Sequence, residues 1–170
     1  AVRGEPVTFE AMAEDLEEAD VVYLGEYHTL DRHHALQAQI IDALGSTDRP
    51  LAIGLEQVER RCQKWLDQYA DGKLTFDELA KSIDWGKQWD NYRDYRPVLE
   101  AGRRHGARFV GLNTPSDVIR QVGRKGLKAL PKDIRAQLPD EIDADDPVYA
   151  AHLKVTMGVM AAAMPHRMGS

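Results

Sequence analysis

A chain of 170 residues fits one domain, and at this size folding buries about 70% of the surface the unfolded chain exposes. A formal charge of −6 and a pI near 5.5 argue against nucleic acid as a partner. Cys62 is the single cysteine, which excludes an intrachain disulfide and a cysteine-held metal cluster, and no apolar run approaches the roughly 18 residues of a membrane span.

The run Asp20-Val21-Val22-Tyr23-Leu24 reads as a first strand. Leu36, Ile40, Ile41 and Leu44 then recur at helical spacing, and Gly45-Ser46 ends that helix. Leu51-Ala52-Ile53-Gly54-Leu55 reads as a second strand. Val58, Cys62, Trp65, Leu66 and Tyr69 form one apolar helical stripe stopped by Gly72, so Cys62 reads as a core thiol rather than a reactive one. Thr75-Phe76-Asp77-Glu78 is a capping box that opens a short helix. Arg96-Pro97 leads a helix to about His105, and Arg108-Phe109-Val110-Gly111-Leu112 is a third strand. Thr114 caps the next helix, Pro115 takes its first position, and it runs to Gly123.

The order β-α-β-α-α-α-β-α has crossovers long enough for parallel pairing, so the three strands are expected side by side. Residues 125–139 read as basic and helical in short pieces, 140–146 as an acidic solvated loop, and 148–163 as a final helix. The expected fold class is α/β, a parallel sheet flanked by helices, with an additional helical C-terminal segment. Ala1 in place of Met and the closing Met164-Pro165-His166-Arg167-Met168 suggest part of a longer chain.

In open α/β sheets the ligand site lies beyond the carboxyl ends of the strands. Each apolar run is followed there by polar residues. Glu26 and His28 follow the first, and His33, His34 and Gln37 open the next helix. Glu56 follows the second, with Arg60 and Gln63 at i+4 and i+7, and Asn113 follows the third. Glu26, His28 and Glu56 are therefore expected in one network. Glu and His are suitable ligands for zinc or manganese, and equally general acids and bases. The plainer alternative is a Glu56–Arg60 ion pair that fixes a turn, with His33 and His34 on the surface.

Two further stretches could hold a flat apolar ligand. Trp85, Trp89, Tyr92 and Tyr95 are spaced 4, 3 and 3 apart and would make one stripe on a helix. They suit either packing over the sheet edge or a ligand wall. Tyr149 and His152 share a helix face, followed by Met157, Met160, Met164, His166 and Met168. Tyr, His and Met are all axial ligands of haem iron, though a Met stripe is also ordinary core.

The ordered set Gly25-Glu26-x-His28, His33-His34-x-x-Gln37, Glu56-x-x-x-Arg60-x-x-Gln63, Leu66-Asp67-x-Tyr69, the Trp85–Tyr95 stretch and Leu112-Asn113-x-Pro115 resembles the ChaN-like haem-binding uptake proteins of the Tiki/erythromycin-esterase-like superfamily. The matches span about residues 20–130. The resemblance implies one domain over 1–170, incomplete at the C-terminus, with an α/β core over 20–122 and a helical segment over 123–170. It implies haem as cofactor, a role in haem or iron uptake at the cell envelope, and a periplasmic or outer-membrane lipoprotein whose lipid is attached ahead of the domain. A second copy of the chain and envelope haem-uptake components are the implied partners. The family motif does not name the iron ligand; on side-chain chemistry alone, the residues expected at the haem are Tyr149, His152, Met164, His166, Trp85, Trp89 and Tyr92. The superfamily also contains hydrolases, so the alternative is an enzyme in which Glu26, His28 and Glu56 hold a divalent metal or activate water.

Overall fold

The computed structural model describes residues 6–138, 140 and 146–163, with side chains through 159. The chain divides into two units, 1–120 and 121–170. In the first, α1 (Phe9–Glu17), α2 (Asp31–Gly45), β1 (Ala52–Glu59), α3 (Gln63–Ala70), α4 (Phe76–Ser82), α5 (Trp85–Gln88), α6 (Arg96–Arg104) and β2 (Arg108–Asn113) follow in order, and α7 (Ser116–Lys125) crosses the boundary. The sequence reading did not foresee α1, whose signal is Thr8 accepting from the Ala11 N–H as an N-cap. The second unit holds α8 (Lys132–Arg135) and α9 (Pro147–Ala163), the short and long helices read from the sequence. Residues 141–145 of the expected acidic loop lie outside the described residues.

β1 and β2 form a two-stranded parallel sheet, in register from Ala52↔Arg108 to Leu55↔Gly111 and again at Glu59↔Asn113. The fold is the expected α/β class, with one correction. Residues 20–24 form no ladder with either strand among the described residues. The alternation of a strand is present, since Val21 and Tyr23 are exposed and Val22 and Leu24 half-buried. Alternation fixes which side chains face inward, not which backbone is bonded. The Leu24 carbonyl instead accepts from the Gln37 side chain at 3.3 Å.

A side chain also serves the backbone of β2. The Gln63 amide donates to the Phe109 carbonyl at 2.7 Å and to Asp67 at 2.9 Å, and its oxygen accepts from the Gly111 N–H at 3.0 Å. A neighbouring strand would satisfy the same two backbone groups. The core lies where α2, α3, α4 and α6 close over the sheet. Leu66, Tyr69, Leu79, Leu99, Ala101 and Phe109 are all buried there. Tyr69 and Leu66 come from the stripe read in the sequence, and the chain leaves α3 through Gly72, whose φ of +74° lets the Lys73 N–H reach the Gln68 carbonyl at 2.9 Å. The Thr75–Glu78 capping box forms as expected.

On one helix the rings of 85–95 would make a single stripe, but the segment is not one helix. Asp84 sits at φ +51°, a left-handed conformation that turns the chain, and Trp89 is extended, so the segment splits into α5 and a 3-10 turn at Tyr92–Tyr95. Its rings pack inward, with Trp85 against Phe76 at 5.9 Å, Tyr92 at 6.0 Å and Tyr95 at 6.1 Å.

The register break between Leu55 and Glu59 brings β1 backbone against Gly111, where an added Cβ would stand 2.9 Å from the Glu59 carbonyl oxygen and 3.1 Å from that of Val58. Backbone cannot give way as a side-chain tip can. Gly111→Ala should therefore lower unfolding free energy by about 1–3 kcal/mol, the usual cost of overpacking, read from the urea midpoint. An unchanged midpoint would mean that the irregular strand relaxes at no cost.

Candidate functional site

The site is built around one carboxylate. Glu26 follows the irregular 20–24 segment, and its side chain is 6% exposed. His28 Nδ1 lies 2.7 Å from Oε1, and the Gln57 amide donates to the same oxygen at 3.1 Å. The Tyr95 hydroxyl also donates to Oε1. Gln37 donates to Oε2 at 2.9 Å, and His34 Nε2 stands 3.3 Å from it. Four elements thus converge on the group: the loop of His28, α2, β1 and the turn that ends at Tyr95.

Burial alone would raise the Glu26 carboxyl, but the hydrogen bonds from Tyr95, His28 and Gln37 and the nearby His34 outweigh it and hold the group below its ordinary value. The same contacts act in reverse on Tyr95. Burial first, then the hydrogen bond to Glu26 and its charge, push the phenol up, so it remains a proton donor at neutral pH. Rings wall the network in: His34 meets Tyr95 edge-on at 4.5 Å, and His28 meets Trp89 edge-on at 5.0 Å. The Trp85 indole donates to the Gln57 carbonyl at 3.1 Å and so fixes the residue that reaches Glu26.

His28 is half-exposed, and a Nδ1–H donated to Glu26 leaves its Nε2 lone pair for a proton or a ligand. His33 takes a different role. The Tyr27 N–H donates to its Nδ1 at 2.9 Å, which closes the turn into α2.

Glu56 corrects the sequence reading. It does not join Glu26 and His28, and no ion pair links it to Arg60 among the described residues; both residues are exposed. β1 runs on to Glu59 with a register irregularity after Leu55, which leaves Glu56 exposed while Leu55 and Val58 are both buried and Gln57 reaches Glu26. The acid that does anchor the strand end is Glu59, buried, 2.5 Å from Arg61 Nε and accepting from the Ser116 N–H at 3.2 Å. The metal set Glu26, His28 and Glu56 is therefore not assembled. Asn113 ends β2 opposite Glu59 and makes no side-chain hydrogen bond among the described residues. Gln57 and Tyr95 were missed as partners of Glu26. The available signal was the period-2 step from Leu55 to Gln57, hidden by ending the strand too early.

Of the expected haem residues, Trp85 is 1% exposed and belongs to the core, while Trp89 and Tyr92 are half-buried. Tyr149 and His152 stand three apart on α9, both exposed. Asp146 accepts from the Tyr149 N–H at 2.8 Å at the start of that helix. The described side chains of α9 expose Val148, Leu153, Val155, Met157 and Val159 around this pair. An exposed phenol and imidazole within an apolar surface are donors that suit haem iron, and the surface suits the macrocycle. Met164 and His166 lie outside the described residues.

Glu26→Gln keeps the shape but removes the charge that four donors share. It should destabilise the protein by about 1.5–3 kcal/mol, the range for hydrogen bonds to charged groups. Because the folded Glu26 carboxyl is lowered, its stabilisation is full above the ordinary value of 4.5 and is lost as pH falls through the folded value. Urea midpoints measured across pH 2–7 should accordingly show a shallower acid limb in Glu26→Gln. Glu56→Ala should move the midpoint by less than about 0.5 kcal/mol, as expected of a surface residue. Equal effects of the two changes would contradict the arrangement.

No curated protein matches the chain. Among solved structures, it is similar to one described as cofacial heme binding to ChaN of Campylobacter jejuni, with 25% identity and a TM-score of 0.65. The likeness covers 76% of this chain and 52% of that one, so the chain spans about half the length of the protein it matches. A family model for haem-binding uptake proteins, Tiki superfamily, ChaN, matches residues 12–169. The match extends over nearly the whole sequence, and the chain belongs to the ChaN haem-binding uptake family of the Tiki superfamily.

Proposed function

We propose that the chain binds haem and serves haem or iron uptake at the cell envelope, as a carrier rather than a catalyst. The observation that carries this reading is α9, an exposed helix with Tyr149 and His152 on one face and apolar side chains around them. Water is a poor neighbour for so much apolar surface, and haem is a large, flat, mostly apolar disc. Family membership supports the same ligand.

Bound haem would supply an iron with an axial position for a protein oxygen or nitrogen. In this reading Tyr149 would hold the iron through its oxygen as tyrosinate, and His152, one turn along, would accept the phenol proton and then donate a hydrogen bond to the phenolate. Tyrosinate favours ferric iron, so reduction weakens the complex. Val148, Leu153 and Met157 exclude water from the disc, and Met adapts to its outline. Met164 and His166 are the alternative ligands. Partners in this reading are a second copy of the chain and uptake components of the envelope. The protein would be periplasmic or held at the outer membrane by a lipid attached ahead of the domain. Recovery of the native protein in the cytosolic fraction would contradict that placement.

Haemin added to the full-length protein should produce a Soret band that saturates. Tyr149→Phe should change the spectrum and weaken binding by about tenfold or more, equal to 1.4 kcal/mol per decade, without altering the circular dichroism. A spectrum insensitive to Tyr149→Phe but lost on His166→Ala would move the ligand to that segment. No saturable change with the folded protein would end the haem reading.

A further inference from the structure

We propose that Asp31, His34 and Asp94 form a site for a divalent metal ion of the zinc or manganese class, separate from the haem residues of α9. One carboxylate oxygen from each aspartate and one ring nitrogen of His34 lie within 4.8 Å of one another. Asp31 and His34 stand three apart at the start of α2 and share a face. Asp94 comes from the turn Tyr92–Tyr95, which packs against α2.

His34 distinguishes this cluster from an ordinary pair of surface acids. It is 1% exposed, and neither ring nitrogen has a hydrogen-bond partner. Its Nε2 comes within 3.3 Å of Glu26 Oε2, but without the alignment of a hydrogen bond. A buried imidazole in this state lacks an interaction that water would give it. Nor does either aspartate spend its carboxylate elsewhere: Asp31 and Asp94 have no side-chain hydrogen bond or ion pair among the described residues. Three groups able to donate lone pairs therefore lie close together with no hydrogen bond to their side chains, His34 having only its 3.3 Å charge contact with Glu26.

Two carboxylates and one imidazole suit zinc and manganese, whereas thiolate or thioether donors would favour softer ions. Metal bonds to such groups run about 2.0–2.2 Å, so the three must draw inward. The aspartates have room for this, one exposed and one half-buried, around a fixed histidine. Three protein ligands leave a further position for water. A metal on one ring nitrogen also keeps the proton on the other. The ion would thus clamp the start of α2 to the turn that delivers Tyr95, and steady the Glu26 network from behind.

The test is calorimetric titration of zinc chloride into the full-length, chelator-treated protein without haemin. Saturation at one zinc per chain is expected, with a rise in melting temperature. Asp31→Asn and Asp94→Asn should each weaken binding at least about tenfold, the lower bound for losing even an outer-shell partner. Both sit at or near the surface, so each should fold, as circular dichroism would check. His34→Gln should abolish binding if it folds. No saturable binding would overturn the proposal. So would zinc affinity unchanged in the Asp31→Asn/Asp94→Asn double variant, or binding lost only on His28→Gln, which would assign zinc to the exposed histidine.

Discussion

The arrangement depends on keeping one ionised carboxylate out of water. Removing such a group from solvent costs several kcal/mol unless hydrogen bonds replace the lost hydration. Glu26 obtains them from Gln37, Gln57, His28 and Tyr95, each on a different part of the chain. None of these donors is near another in sequence except through the fold. The requirement to satisfy Glu26 therefore fixes the start of α2, the far half of β1 and the turn before α6 relative to one another. Trp85, bonded to the Gln57 carbonyl and stacked near Tyr95, holds two of those donors in place. The aromatic residues at 85–95 serve this packing more than they serve an outer surface.

This gives the two rich parts of the sequence different duties. The Glu26 network is dense, walled by rings and joined to the core; it behaves as a structural keystone with one half-exposed histidine at its rim. The second unit presents its chemistry outward, on a helix whose described side chains are all exposed. Exposed apolar surface of that kind is the sort that marks a ligand or partner site.

Much of the fold was legible in sequence because periodicity and punctuation are local. The Leu66/Tyr69 stripe, the stop at Gly72, the Thr75 capping box, the Pro97 helix start and the final helix all formed as read. What escaped depends on distant partners. Residues 20–24 alternate like a strand, yet no strand bonds to them among the described residues. The 85–95 spacing would make one stripe on a helix, but the chain turns into the segment at a left-handed Asp84 and is divided within it by an extended Trp89. In the site, Glu26, His28, His34 and Gln37 were found because the strand-end argument points to them. Glu56 was placed wrongly and Gln57 overlooked for one reason: the strand continues four residues past Leu55, to Glu59, with an irregular register that apolar patterning does not encode.

The central claim is that Glu26 stays ionised although buried, because its donors outweigh the loss of water. Carbon-13 NMR of the side-chain carboxyl, followed through an acid titration of the folded protein, reads this directly. The account predicts a midpoint for Glu26 below the ordinary value of 4.5. A midpoint above it would show that burial dominates, and would contradict the account of the network as a set of donors gathered around a charge.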